Sequence, residues 1–516
     1  MIISSTNLNI KKQSKNSLPM KSKMLFWLGP DYTHYCISHY MQKLHDCELY
    51  GIIDIANKQK KFFDEQNLVN IKKKWFIFDH LTKNYKVDLE YLETFQNEYK
   101  INLWSLAINE RLFYRFSFQN FKSDEILAIL EQECRLFEKI LDEVKPDFLI
   151  TKWASRHYHQ LLIELCKNKG IKILQLGQPK IGYKMLISED PAKFDGIENL
   201  DSITSKNRDF TQLQNFVKKF SMSKNQKEFD SRKQSKLGFI NTGIEYIFSK
   251  NEVNENYYNY FFGSSKLKNI EYQLTSPSKR KHRKKFLDSL SKDLPSKPFV
   301  YYPLAVDMER NLLINAPFYT NQIELIRSIA KSLPINFTLV VKENPAQVSR
   351  DWRSLDDYKE ILEIPNVFLV NPNIPYDELL KKCSLVVLIG GSTGYEAAFY
   401  GKPSITFSNM IYSILPSVYR VKNLEELPYL IKSAISHKPE PESLDKYLTL
   451  IEENTFDFDH FAFLTNFGNI FYREDRINNV EIPIEKMQIF LNDNKTQLEN
   501  LTLEHIKKIN WHNQNG

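Results

Sequence analysis

The chain has 516 residues, a hydrophobic fraction of 42% and a formal net charge of +7 at pH 7. This length exceeds what one hydrophobic core usually supports, so two domains with additions are expected. The composition excludes a largely disordered chain, and the mild positive charge favours anionic ligands or an anionic surface without requiring either. The five cysteines are scattered and form no Cys-x-x-Cys pair, which argues against a disulfide framework or zinc site and indicates a reducing cytoplasm.

The N-terminal segment, residues 1–23, is polar and rich in lysine. It lacks the apolar core of a secretory signal, and we expect a flexible basic tail. No apolar run in the chain approaches the roughly 18 residues that a membrane-spanning helix needs.

The first half alternates short apolar runs with amphipathic helical patterns, which predicts a parallel sheet covered by helices. We assign residues 24–190 to a Rossmann-like acceptor domain. The loops Gly29–His34, Thr151–His157 and Gly177–Tyr183 follow its strands and are expected to share one edge of the sheet. The predicted strands are Met24–Leu28, Leu49–Ile55, Trp75–Phe78, Phe148–Thr151 and Ile171–Leu176.

Residues 191–297 break this alternation and are predicted to be an insertion or linker. Their densest charge run is Lys279–Lys285. No aromatic residues interleave with these cations, so a nucleic-acid partner is not expected. A solvated linker helix and a peripheral contact with an anionic membrane both remain open.

The alternation returns in residues 298–437, which we assign to a second Rossmann-like domain. Residues 438–516 are charged and predicted to form a helical tail. The fold class is therefore α/β, with two Rossmann-like domains facing a crevice. This is the architecture of the GT-B class of glycosyltransferases, whose ligands lie at strand carboxyl ends.

The glycine-rich turn Gly390–Gly394 follows an apolar run and opens a helix that carries Glu396. Glycine lets a phosphate approach the backbone, and a helix start offers free N–H groups to it. Ser392 and Thr393 add hydroxyl groups, and Glu396 can accept hydrogen bonds from sugar hydroxyls. The alternative is that a hydroxyl merely caps the helix and the glycines form a tight turn.

A second candidate edge is Lys342–Pro345, directly after a buried strand. Lys342 can neutralise a diphosphate or a sugar carboxylate, and Asn344 can donate to a phosphate. The alternative is a surface lysine beside an ordinary strand-ending proline.

Several runs in the second half resemble, in order and spacing, the capsule polysaccharide biosynthesis family, which contains the β-Kdo transferases of bacterial capsule assembly. A looser likeness covers Gly170–Pro191. The runs that carry the resemblance are Tyr302–Leu304, Gln322–Pro334, Leu339–Pro345, Asn366–Pro372 and Gly390–Phe407.

The resemblance implies a GT-B glycosyltransferase that uses a nucleotide-activated sugar, such as a CMP-linked acid sugar like Kdo. The family's Lys-Glu-His-Pro motif falls on Lys342–Pro345, where Asn344 replaces the histidine and loses its proton-transfer role. The family's Gly-Thr-x-Gly-x-Glu-Ala pattern falls on Gly391–Ala397. The implied donor-binding residues are Lys342, Asn344, Pro345, Gly391, Ser392, Thr393, Gly394 and Glu396.

The opposite wall should hold the acceptor and a general base, because a sugar hydroxyl needs a nearby proton acceptor. Asp31 and His34, just past the first strand, are the catalytic candidates. Arg156, His157 and Gln178 are the acceptor-binding candidates. For each, a helix cap or solvated loop residue is the alternative. No Asp-x-Asp pair at the end of a predicted strand suggests a metal-bound diphosphate, so we expect no essential metal and no cofactor beyond a CMP- or UDP-linked co-substrate.

The expected partners are a nucleotide sugar and a polysaccharide or glycolipid acceptor, with the protein in the cytoplasm or peripheral at the inner face of the membrane. Two alternatives stay open. A sugar-nucleotide epimerase can share this fold and would isomerise its nucleotide sugar without an acceptor. A non-catalytic binding subunit of an assembly complex would bind nucleotides without turnover, and Asn344 supports that alternative.

Overall fold

The computed structural model describes residues 21–55, 58–82, 85–111, 113, 121–179, 181–219, 266–348, 353–472 and 480–515. The predicted flexible tail lies almost wholly outside these residues, as does much of the predicted insertion. None of the helices in the described ranges is both long enough and apolar enough to cross a membrane.

The first sheet has seven strands in the order β13-β6-β5-β4-β1-β2-β3. Its pairs are parallel from β5 through β3, whereas β6 pairs antiparallel with both β5 and β13. The strands are β1 (Ser22–Leu28), β2 (Cys47–Ile53), β3 (Ile71–Phe76), β4 (Phe148–Lys152), β5 (Lys172–Gly177), β6 (Lys184–Ser188) and β13 (Phe456–Asp457).

The central strand β1 shows why this sheet forms. Its last five residues, Met24–Leu28, are buried apolar side chains, as expected of a parallel strand covered on both faces. Alternation along the strand sends Leu25 and Trp27 into one apolar cluster and Met24, Phe26 and Leu28 into another.

The second sheet has six strands in the order β12-β11-β10-β7-β8-β9, all pairing parallel. The two-domain α/β architecture predicted from the sequence is confirmed. The strands are β7 (Phe299–Pro303), β8 (Thr338–Lys342), β9 (Val367–Val370), β10 (Leu385–Leu388), β11 (Ser404–Thr406) and β12 (Val418–Arg420).

Helices cover both sheets. The first half contains α1 (Thr33–Leu44), α2 (Lys60–Glu65), α3 (Leu89–Tyr99), α4 (Leu103–Ile108), α5 (Ser123–Val144), α6 (His157–Asn168) and α7 (Phe210–Lys219). The second half contains α8 (Lys266–Asp288), α9 (Arg310–Leu313), α10 (Gln322–Lys331), α11 (Pro345–Val348), α12 (Leu355–Leu362), α13 (Tyr376–Lys382), α14 (Thr393–Ala398) and α15 (Leu427–Ser436). The C-terminal segment contains α16 (Pro441–Asn454), α17 (His460–Phe471), α18 (Ile484–Asp493) and α19 (Lys495–Asn515).

The C-terminal helices return to the first domain. Phe463, Phe490 and Leu501 lie in the same apolar cluster as Phe26 of β1. The Tyr40 hydroxyl of α1 donates to the Leu491 carbonyl at 2.7 Å. The predicted helical tail is therefore confirmed, and it covers one face of the first sheet.

The structure adds three short strands that the sequence did not reveal, β6, β12 and β13. Strand β6 follows the predicted loop Gly177–Tyr183, in which a turn at Gly182, where φ is 55°, sends the chain back antiparallel to β5. The linker also contains α7 and α8, and α8 carries the basic run Lys279–Lys285. Within that run Arg283 is buried and donates to the Arg353 carbonyl at 3.1 Å.

Candidate functional site

The three strand-end loops of the first sheet meet around a cavity of about 200 Å³ at its carboxyl edge. Two larger cavities, of about 440 and 560 Å³, open beside the amino ends of strands, where such folds do not place ligands. The lining residues are Asp31, Thr33, His34, Lys152, Trp153, Leu176, Gly177, Gln178, Met185 and His460. The small cavity thus brings together the catalytic candidates Asp31 and His34 with the acceptor-binding candidate Gln178.

Asp31 forms an ion pair with Lys152, the last residue of β4. Its other carboxylate oxygen accepts from the Thr33 backbone N–H at 3.1 Å. Burial alone would raise the pKa of Asp31, but the Lys152 charge, with smaller help from two histidines, holds that pKa well below its ordinary value. Asp31 is therefore a permanent anion and a weak base.

His34 lies in the first turn of α1 and is only 2% exposed. Burial lowers its pKa to about 3, although the neighbouring Asp31 opposes that change. Its Nε2 has no hydrogen-bond partner among the described residues. His34 is therefore a neutral imidazole with one ring nitrogen uncommitted.

Asp54, which follows β2 at the same edge, is a residue that the sequence analysis missed. Its carboxylate accepts from the Tyr158 hydroxyl at 2.9 Å. Burial raises its pKa to about 6, while Lys152 and Tyr158 partly offset the rise. A carboxyl directly after a buried strand was a signal that could have found it.

The C-terminal segment contributes a further cavity residue. Nε2 of His460, at the start of α17, lies 3.2 Å from Thr33 Oγ1, in hydrogen-bond contact. Burial lowers the pKa of His460. The Tyr472 hydroxyl also donates to the Pro30 carbonyl, so this segment holds the loop that carries Asp31.

His157 and Arg156 do not line the cavity. The imidazole of His157 contacts two carboxylates, with Nδ1 2.9 Å from Glu110 and Nε2 2.9 Å from Glu133. Burial alone would lower the pKa of His157, but these carboxylates raise it to about 9. Arg156 lies 3.4 Å from the second oxygen of Glu110. The structure thus places these two acceptor-binding candidates in a buried ionic cluster.

In the second domain, Lys342 is the last residue of β8 and is 6% exposed, with its ammonium donating to the Ile374 carbonyl. Asn344 Oδ1 accepts from the Ala346 N–H at 3.0 Å, and Pro345 begins α11. Both polar candidates therefore have partners inside their own domain. Glu343 accepts from the Tyr358 hydroxyl at 2.6 Å and pairs with Arg353.

The glycine turn lies between β10 and α14, with Ser392 at the helix cap and Thr393 as its first residue. Gly391 has a φ of 129°, a backbone conformation that suits glycine. A Cβ at Gly394 would lie 2.4 Å from the Tyr412 hydroxyl, which donates to the Gly391 carbonyl at 2.6 Å. Glycine is thus required at position 391 by the backbone conformation and at position 394 by the packing of Tyr412.

Glu396 gives this turn its titratable group. It is half-buried, and burial raises its pKa to about 7, with a hydrogen bond from Ser392 opposing the rise. A carboxyl with this pKa changes charge near neutral pH.

The carboxyl edges of the two sheets contact each other. Arg111 donates to the Met308 carbonyl at 2.9 Å and to the Ser155 carbonyl at 3.0 Å. The Arg310 guanidinium lies 5.0 Å from the centre of the Trp153 ring. Ile181, from the loop after β5, shares an apolar cluster with residues of α14.

No group of three or more metal-ligating side chains occurs in the described part of the chain. The expectation of a metal-independent site stays a prediction.

Residues 233–418 match the family model described as capsule polysaccharide biosynthesis protein. This match confirms the resemblance inferred from the motifs, and it includes both Lys342–Pro345 and the glycine turn. No curated protein sequence matches the chain.

Three solved structures are similar to the chain at low identity. Thermosulfurimonas dismutans KpsC, a beta Kdo 2,7 transferase, is 13% identical, with 71% of this chain and 97% of that chain covered and a TM-score of 0.29. The Methanocaldococcus jannaschii UDP-GlcNAc 2-epimerase in complex with UDP-GlcNAc and UDP is 13% identical over 84% and 99%, with a TM-score of 0.24. The Neisseria meningitidis UDP-GlcNAc 2-epimerase bound to UDP-GlcNAc is 12% identical over 83% and 100%, with a TM-score of 0.22.

Proposed function

We propose that this protein is a glycosyltransferase that moves a sugar from a nucleotide donor to a polysaccharide or glycolipid acceptor. The proposal rests on the presence of one candidate binding region at the strand ends of each domain. One is a cavity lined with titratable side chains in the first domain. The other is the glycine turn of the second domain, within the segment that matches the capsule polysaccharide family.

The donor belongs on the second domain in this proposal. Ser392 and Thr393 would donate to phosphate oxygens, and Glu396 would accept from sugar or ribose hydroxyls. A carboxyl whose pKa lies near 7 becomes a better acceptor when donor hydroxyls stabilise its charged form. Lys342 and Asn344 would have to exchange their present partners for donor phosphates.

The acceptor belongs at the first-domain cavity, and we assign the general base to Asp54 rather than to Asp31. A base works best when its pKa lies near the working pH, and the pKa of Asp54 is about 6. Asp31 would instead hold Lys152, and the neutral His34 and Gln178 would position acceptor hydroxyls.

The finer identity of the substrates comes from the family resemblance. We propose a CMP-linked acid sugar such as Kdo as the donor, with UDP-linked sugars as the second class to test. The exposed cations of the Lys279–Lys285 run on α8 would support a peripheral contact with an anionic membrane at its inner face, where the acceptor is assembled.

A thermal-shift screen of CMP- and UDP-linked sugars tests the proposal. A ligand at 100 times its Kd stabilises the folded state by about 2.7 kcal/mol, so a true donor raises Tm measurably. Glu396→Ala should abolish that rise, whereas Glu425→Ala, which removes an exposed carboxylate from the same domain, should retain it.

The product then identifies the reaction. Mass spectrometry should show sugar transfer only when an acceptor is present. Isomerised nucleotide sugar in the absence of acceptor would identify an epimerase instead. No Tm change with any nucleotide sugar would refute the proposal.

A further inference from the structure

The cation of Arg310 has no anionic partner among the residues that the structure describes. Arg310 begins α9 after β7, and its guanidinium lies 5.0 Å from the centre of the Trp153 ring in the other domain. Its side chain makes no hydrogen bond or ion pair with any residue that the structure describes, and its Nε is buried without a partner. Burial lowers its pKa to about 10, and the attraction of Asp190 does not compensate.

The other arginines at this contact have hydrogen-bond or ion-pair partners at their terminal nitrogens, although the Nε of Arg111 is buried without one. Arg111 donates to two backbone carbonyls, Arg156 pairs with Glu110, and Arg353 pairs with Glu343 and Asp307. A desolvated charge without a counterion destabilises the folded state unless something else compensates it. Lys152 does not resemble Arg310 in this respect, because Asp31 neutralises it.

The residues around Arg310 form part of the candidate site. Trp153 lines the 200 Å³ cavity together with Gly177 and Gln178. A Cβ at Gly177 would lie 1.8 Å from the Trp153 ring, so glycine at that position lets the indole lie flat against the strand end. The indole Nε1 also has no hydrogen-bond acceptor among the described residues. Two unused donors, one from each domain, thus lie beside the cavity.

We infer that Arg310 and the Trp153 indole bind an oxyanion of the ligand, a phosphate or a carboxylate, where the two domains meet. This inference rests on the proposed function and adds a binding residue that its motifs do not contain. A guanidinium matches two oxygens of a carboxylate or phosphate with parallel hydrogen bonds, and the aromatic ring holds its plane in place.

The competing explanation is that Arg310 only joins the domains through its contact with Trp153. The two explanations predict opposite changes in the stability of the unliganded protein. Arg310→Met keeps an unbranched side chain that can pack on the indole and removes the uncompensated charge. Under our inference Tm rises in this variant, whereas loss of a structural bridge lowers it.

Binding measurements complete the test, with Arg310→Met, Arg310→Lys and the control Arg327→Met. Arg327 is in the same domain but pairs with Glu360 on the surface. Loss of a charge-assisted hydrogen-bonded contact should weaken oxyanion binding roughly 10–100-fold in Arg310→Met. Arg310→Lys should recover only part of the affinity, because an ammonium cannot bind two oxygens in parallel. Arg327→Met should bind like the wild type.

The ligand panel separates the two sources of the oxyanion. Equal losses for UDP, UDP-GlcNAc and UDP-glucuronic acid place a phosphate on Arg310. A loss confined to UDP-glucuronic acid places a sugar carboxylate there. Wild-type affinity of Arg310→Met for every ligand overturns the inference, as does a lowered Tm.

A pyrophosphate titration keeps this test separate from the proposed function. If the wild type binds none of the CMP- and UDP-linked sugars of the thermal-shift screen, the proposed glycosyltransferase activity fails. Pyrophosphate that stabilises the wild type but not Arg310→Met would still support the oxyanion site. Equal stabilisation of both, or of neither, would refute it.

Discussion

The buried ionic cluster around His157 makes a measurable prediction about pH. His157 is 3% exposed, and Glu110 and Glu133 are 4% and 0% exposed. The carboxylates raise the pKa of His157 from its ordinary value of 6.5 to about 9. Because each tenfold difference in proton affinity between folded and unfolded states is worth about 1.4 kcal/mol, the protonated imidazole contributes ~3 kcal/mol.

Because the folded state has the higher pKa, the free energy of unfolding falls as pH rises. Below pH 6.5 the imidazole is protonated in both the folded and the unfolded states, so the full contribution is present. It is lost progressively as pH rises from 6.5 to about 9, because over that range the unfolded state has released this proton while the folded state still holds it. Urea unfolding between pH 6 and 9, followed by tryptophan fluorescence, should show the free energy of unfolding of the first domain falling by ~3 kcal/mol from this group.

His157→Gln supplies the perturbation. It keeps hydrogen-bonding capacity but removes the imidazolium that contacts both buried carboxylates, which should destabilise the domain by roughly 3–5 kcal/mol at pH 6. The loss should shrink toward pH 9, because the wild type loses its own contribution there. His159→Gln is the matched control, since burial lowers the pKa of His159 and keeps it neutral throughout. Parallel pH profiles for the wild type and His157→Gln would refute the reasoning.

Two further predictions concern the site and its packing. Asp54→Asn should lower kcat roughly 10²–10⁴-fold with little change in donor Kd, while the exposed control Asp46→Asn should change neither. The wild-type rate should fall below pH ~6, where the Asp54 carboxylate becomes protonated. An unchanged kcat in Asp54→Asn would show that another group is the general base. Gly394→Ala should destabilise the second domain by ~1–3 kcal/mol, because the alanine Cβ would clash with the buried Tyr412 ring. An unchanged midpoint of urea unfolding would show that the ring can move aside.

Much of the fold could be predicted from the sequence, because local sequence patterns identify most of its strands. Runs such as Met24–Leu28 and Leu385–Leu388 are continuously apolar and end at glycine or a polar loop. Strands β6 and β13 carry no such signal. Strand β6 forms by pairing back on β5, and β13 forms because Phe456 pairs with Met185 of β6, a contact between residues far apart in the sequence.

Contacts between distant parts of the sequence also limit what could be predicted about the site. Asp31 and His34 could be placed at the carboxyl edge because they follow the first strand. The partner of Asp31 could not be identified, since Lys152 joins it from a strand 121 residues later. His460 contacts Thr33 across 427 residues, and only the folded path of the chain brings the two together.

That chain path also sets an order for biosynthesis. The face of the first sheet that carries Phe26 is covered by Phe463, Phe490, Leu501 and Ile509. A ribosome that has just finished β6 must still synthesise the whole second domain before those residues emerge. At 5–20 residues per second that interval is roughly 15–60 s. During it the nascent first domain exposes the apolar surface that the C-terminal helices later cover, and transiently exposed apolar surface favours aggregation and chaperone binding.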